Sequence, residues 1–185
     1  MKGEIKLVTG NSYKFKEFQE LSKGRVKFVR VDSPKLEIQA DNLEEIVRYS
    51  AVTFYSLFSG PLLVEDSGLF IKALNGFPGP YTSYVKRTLG CNGILKLMER
   101  IENREASFKS VIAYIDGDKL ALFKGETEGT IALGVSGDKG FGFDPIFIPT
   151  GYTITFGEME LTEKNRISHR GKAFQEFLKF YESYL

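Results

Sequence analysis

The sequence has no tryptophan, one cysteine and one histidine in 185 residues, and its formal net charge is only +1. Each scarcity excludes something. A lone Cys91 cannot form an internal disulfide, which suits a reducing compartment, and the expected location is the cytoplasm. A lone His169 rules out a zinc centre built on several histidines, and a Ser-His-Asp triad would have to use that one residue. Near-neutral charge gives no electrostatic track for nucleic acid and no reason to bind an anionic membrane. No apolar run approaches the ~20 residues of a membrane span. The first ten residues read as a short strand and not as a secretory leader.

What remains is an ordinary globular composition with many aromatics, 16 Phe and 9 Tyr. The length fits a single domain over residues 1–185, long enough to build its own core. Hydrophobic periodicity predicts a strand at Ile5 to Val8 and a helix carrying Phe15, Phe18 and Leu21 that Gly24 ends. A strand from Val26 to Val31 follows. Asn42, with Glu45 three residues on, predicts the start of a long helix whose stripe is Leu43, Ile46, Val47, Ala51, Phe54, Tyr55 and Phe58. Two short strands, Leu62 to Val64 and Leu69 to Ile71, are expected around Glu65 to Gly68, then irregular loop at Asn75 to Pro80. Asn92 is the expected cap of a helix bearing Ile94, Leu97, Met98 and Ile101. Strands at Ala106 to Ile115, Lys119 to Leu133 and Pro145 to Ile148, and a helix from Ser168 to Tyr184, complete the chain. Strands and helices mix without strict alternation, so the fold class is α/β of the mixed α+β kind, a mixed sheet flanked by helices.

Four segments carry candidate chemistry. Thr9-Gly10-Asn11-Ser12-Tyr13-Lys14 joins a strand to a helix: Gly10 permits close backbone approach, Asn11 caps, and the helix N-terminus attracts an anion. Lys14 in the first turn opposes the helix dipole, a conflict that a bound phosphate would relieve. The segment is not a G-x-x-x-x-G-K-[ST] phosphate loop. Ser168-His169-Arg170-Gly171-Lys172 repeats the anomaly at the last helix, and Arg170 has the fork for bidentate phosphate binding. Asp66 ends an apolar strand, where open sheets place active-site groups, and Glu65 would point to the other side. Asp66 and Glu37 are hard-oxygen candidates for magnesium. In Gly140-Phe141-Gly142-Phe143-Asp144-Pro145, aromatics beside glycines offer a slot for a flat base, with Asp144 as acceptor. Each segment also has a plain reading: solvated lysines, a basic turn, a turn-forming Asp, and Phe side chains that simply join the core.

In this order, Thr9 to Lys14, Glu65-Asp66-Ser67-Gly68-Leu69, Phe77-Pro78-Gly79-Pro80-Tyr81, Phe141 to Pro145, and Glu163-Lys164-Asn165 through Ser168-His169-Arg170 resemble the inosine triphosphate pyrophosphatase family. The resemblance spans nearly the whole chain. It implies an elongated mixed sheet in two lobes with a central cleft, a homodimer, and hydrolysis of ITP, dITP and XTP to monophosphate and pyrophosphate. It implies that Thr9, Asn11 and Lys14 hold the triphosphate with help from nearby backbone, and that Glu37 and Asp66 bind Mg2+. Asp66 would also accept a proton from the attacking water, best pictured as orienting it. Ser67 would touch substrate, Phe141, Gly142, Phe143 and Asp144 would frame the base, and Lys164, His169 and Arg170 would complete the contacts. The chain departs from many bacterial members at Tyr84, where they carry Arg. A pyrophosphatase for other modified nucleotides and a non-catalytic nucleotide sensor are the competing readings. A small RNA-binding domain fits poorly, because no continuous basic aromatic face is present.

Overall fold

The computed structural model describes residues 4–33, 38–117 and 119–184. Among them, seven strands form one mixed sheet and six helices pack on it. Strand β1 (Ile5–Val8) lies between β2 (Phe28–Val31) and β3 (Leu62–Ile71), parallel to both. β3 then pairs antiparallel with β5 (Glu105–Asp116), β5 with β6 (Lys119–Ile131), and β6 with β7 (Phe147–Pro149). The two-residue β4 (Pro78–Gly79) adds to the far end of β3.

Helix α1 (Ser12–Ser22) starts where Asn11 Oδ1 accepts the N–H groups of Tyr13 and Lys14 at 2.9 and 3.2 Å. Helix α2 (Leu43–Phe58) is capped by Asn42, which accepts the Glu45 N–H at 2.9 Å. Of the predicted α2 stripe, Leu43, Ile46, Val47, Ala51 and Phe54 are buried, and Tyr55 and Phe58 are partly buried against the same core. Helices α3 (Thr82–Thr88) and α4 (Gly90–Leu97) follow β4, α5 (Leu161–Ile167) precedes α6 (His169–Tyr184), and α6 lies along β6 and β5.

Five elements differ from the sequence reading. The two short strands expected around Glu65 to Gly68 are one ten-residue strand, because every residue of β3 has a partner on β5. The loop expected up to Pro80 includes β4. The helix expected from Asn92 begins at Gly90, with no side-chain cap, and α3 and α5 went unread.

Alternation along β3 sorts the interior. Leu62 and Val64 face α2 in one apolar cluster with Val8, Val111 and Ala113. Leu63 faces α1 and α6 with Ile5, Phe18, Ile112, Phe174 and Phe177. Further along, Leu69 and Ile71 join Val85, Ile94, Phe108, Phe143 and Phe147 in a third cluster against α3 and α4. Between Leu63 and Leu69 on the same face stand Glu65 and Ser67, with Ser110 beside them on β5. One sheet thus supports two apolar lobes separated by a polar seam, and the seam is where the site lies.

Candidate active site

Asp66 and Ser67, mid-way along β3, form the floor of a cleft of about 650 Å³. One wall is the start of α1 with Gly10, Asn11, Ser12 and Lys14. Another is α3, which contributes Thr82, Ser83, Lys86 and Arg87, and Phe141 and Gly142 close the end. This volume falls in the range of small-molecule sites, roughly 300–1,000 Å³. Arg30 braces the rim: its guanidinium donates to the carbonyls of Thr9 and Gly10 at 3.1 and 3.0 Å and pairs with Asp32 at 3.2 Å.

Behind the floor runs a chain of alternating charges. Asp144 pairs with Lys164 at 2.7 Å, and Lys164 with Glu17 at 2.7 Å. Glu17 takes one arm of Arg170, whose other arm reaches Glu65 at 3.1 Å and donates to Ser67 Oγ at 2.9 Å. Glu65 accepts Ser110 Oγ–H at 2.7 Å and pairs with Lys14 at 2.8 Å, and Lys14 lies 3.6 Å from Asp66. The charges hold one another in place. Burial works against the Glu17 and Glu65 carboxylates, but Arg170, with Lys164 or Lys14, outweighs it and holds both below the usual range. Burial pushes Asp144 up in spite of Lys164, while Asp144 and Glu17 keep Lys164 and Glu65 and Glu17 keep Arg170 firmly protonated.

The predicted site residues divide accordingly. Gly10, Asn11, Ser12, Lys14, Asp66, Ser67, Phe141 and Gly142 line one cleft. Thr9 lies beneath, accepting the Asn11 N–H at 3.1 Å, and Tyr13 stacks on Phe141 with centroids 5.8 Å apart. Lys164, His169 and Arg170 are at most 3% exposed and stand behind the wall. Their neighbour Phe141 covers two of them, its ring centroid 5.1 Å from Lys164 Nζ and 5.3 Å from the Arg170 guanidinium. At both helix starts the first-turn cation that opposes the dipole is met by buried carboxylates. Phe143 is fully buried in the apolar core, so the plain reading holds for it. Asp144 is spent on Lys164 and on the Phe141 N–H at 2.8 Å. Gly140 belongs to this turn because its backbone is left-handed, at φ +72°, and a Cβ there would run into the Asp144 carboxylate. Glu37 lies outside the described residues.

The profile of the Ham1 family matches residues 5–180. The chain belongs to the Ham1 family. A dITP/XTP pyrophosphatase of Saccharolobus solfataricus is 48% identical over 182 residues, 98% of this chain and 95% of that protein. A dITP/XTP pyrophosphatase of Thermococcus kodakarensis is 56% identical over 141 residues, 76% of each. Among solved structures, the Staphylococcus aureus Ham1 protein superposes with a TM-score of 0.84 at 26% identity, covering 99% of this chain and 100% of its own. A HAM1 protein from Coxiella burnetii gives 0.84 at 31% identity, covering 97% and 98%.

In this Ham1-family chain the protonation of His169, open from sequence, is decided by its surroundings. Burial, with Arg170 and Lys164 close by, holds the imidazole well below its ordinary range, so it is neutral, stacked on Phe108 at 4.7 Å. Sequence reasoning missed Glu17, Ser110, Lys86 and Arg87. Glu17 shares a helix face with Lys14, Phe18 and Ser22, all buried, and that spacing was the available signal. For a magnesium ion the donor chemistry fits. Asp66 brings a hard carboxylate oxygen to the cleft, and magnesium asks for about one or two such groups beside phosphate oxygens and water. No group of three or more His, Cys, Asp or Glu is gathered for a metal among the described residues.

Proposed function

We propose that this chain hydrolyses non-standard purine nucleoside triphosphates, dITP, ITP and XTP, to the monophosphate and pyrophosphate. The observation that carries it is the meeting of Asp66, Ser67 and the α1 start in one cleft of nucleotide size, in a chain whose relatives from Saccharolobus solfataricus and Thermococcus kodakarensis are dITP/XTP pyrophosphatases. Asp66, with Glu37 as second carboxylate, would hold magnesium, which when bound offsets phosphate charge. Asp66 accepts a hydrogen bond from the attacking water and aims it at the α-phosphorus. Lys14, fixed by Glu65, lies beside Asp66 and faces the phosphates. Ser67 Oγ accepts from Arg170, and its own O–H, with no acceptor among the described residues, would donate to substrate. Arg170, Lys164 and Glu17 act behind them as positioning residues.

Base choice follows from hydrogen-bond pattern. Hypoxanthine and xanthine present a 6-oxo group and an N1–H where adenine presents the opposite, and a site matched to the first leaves groups unpaired with the second. No helix among the described residues is long and apolar enough to cross a membrane. A cytoplasmic homodimer completes the proposal, supported by the motif resemblance. Pyrophosphate release from ITP, XTP, dUTP, GTP and ATP, each with and without magnesium, tests it. The expected result is magnesium-dependent release from ITP and XTP well above the others. Preference for dUTP, or tight ITP binding without release, would replace it.

A further inference from the structure

The buried charge chain creates a deficit that the cleft must make up. Lys14, Lys164 and Arg170 are matched against Asp144, Glu17, Glu65 and Asp66, three cations against four carboxylates. Lys14 reaches the cleft, but the charge chain as a whole is one positive charge short, so a polyphosphate needs compensation from beyond it. The α1 start gives less than its position suggests, because Asn11 Oδ1 already takes the N–H groups of Tyr13 and Lys14 and Thr9 takes that of Asn11. Among the described residues the cleft has two further cations, both on α3. Lys86 Nζ contacts Cys91 Sγ at 3.2 Å and lies 5.6 Å from the Phe143 centroid. Arg87 stands 5.9 Å from the Tyr84 ring. Neither has a carboxylate partner among the described residues. Their place in the last turn of a helix suits the dipole, so the fold holds them without a ligand. That does not explain why both line the cleft.

We propose that Lys86 and Arg87 hold the polyphosphate of the substrate from the α3 wall, and that they supply its charge compensation where Lys164 and Arg170 do not. The inference rests on the reading of the cleft as a triphosphate site and adds the residues that anchor it. Arg87 offers a planar fork for two phosphate oxygens, and Lys86 a movable point charge on a half-buried stem.

The test is calorimetric binding of inorganic tripolyphosphate, without divalent cation, to the full chain and to Lys86→Met, Arg87→Met and the double variant. Steady-state ITP hydrolysis is measured alongside. Each single variant is expected to weaken tripolyphosphate binding about tenfold or more, the net worth of one hydrogen bond to a charged group. KM for ITP should rise by a similar factor, with a smaller loss for IMP, and Lys86→Arg should restore most of the Lys86→Met loss. An unchanged melting temperature would show that the fold is intact. Variants within about twofold of the natural chain for tripolyphosphate, or an equal loss for IMP, overturn the assignment. If the natural chain binds tripolyphosphate through these residues yet releases no pyrophosphate from ITP, the proposed activity fails and the anchor stands. If ITP is cleaved and neither variant moves KM, the anchor fails and the activity stands.

Discussion

At the scale of single residues, burial decides what a charge is for. Arg170 and Lys164 are basic residues in segments expected from sequence to meet the substrate, yet their hydrogen bonds are spent on Glu17, Glu65, Asp144 and Ser67. Removing one member should cost more than the net worth of the pairs, because the partners stay buried and unpaired. Glu17→Ala leaves Lys164 and Arg170 short at once and is expected to destabilise the chain by about 3–5 kcal/mol, read as a shift of the urea midpoint at unchanged slope. A loss under about 1 kcal/mol would mean the charges find other partners. Lys14 and Asp66 were legible because they sit in spaced motifs at a strand end and a helix start. Glu17 was not, since a glutamate on an amphipathic helix ordinarily faces water.

At the scale of elements, close approach is the constraint. Helix α6 crosses β6 over Gly125, where an added Cβ would run into the His169 carbonyl oxygen and the Ala173 N–H. Gly125→Ala should push α6 from the sheet and cost about 1–3 kcal/mol or more, checked by thermal melting. Ligand affinity should fall with it, since α6 carries Arg170 to Ser67. The longer elements were readable: α2 has a cap and a five-residue buried stripe, and β1, β5 and β6 show clear runs. The short α3 and α5 were not, because each has seven residues and no side-chain cap. Their helicity comes from packing, which local sequence does not display. That gap hid Lys86 and Arg87.

At the scale of the whole molecule, the seam couples stability to acidity. His169 is neutral in the fold but ordinary, near 6.5, when unfolded. The unfolded chain therefore takes up a proton as pH falls through that value and the folded chain does not, so stability begins to decline there. Glu17 and Glu65, ordinarily near 4.5, are held lower in the fold, and their contribution is present above that pH and lost below it. Asp144, raised by burial, works in the opposite sense and softens the fall. Urea unfolding should thus show a shallow loss below about pH 6.5 and a steep one below about pH 4.5. His169→Gln should remove the shallow part alone. A flat profile from pH 7 to 5 in the natural chain would contradict the neutral imidazole.

The seam stabilises a cleft, and the proposed chemistry takes place at its floor. Single-turnover release of pyrophosphate from ITP with magnesium, by the natural chain and by Asp66→Asn, is the most direct measurement. The prediction is release by the natural chain and a loss of about a hundredfold or more in Asp66→Asn, with the melting temperature preserved. Near-natural release by Asp66→Asn, still folded, would contradict the central claim.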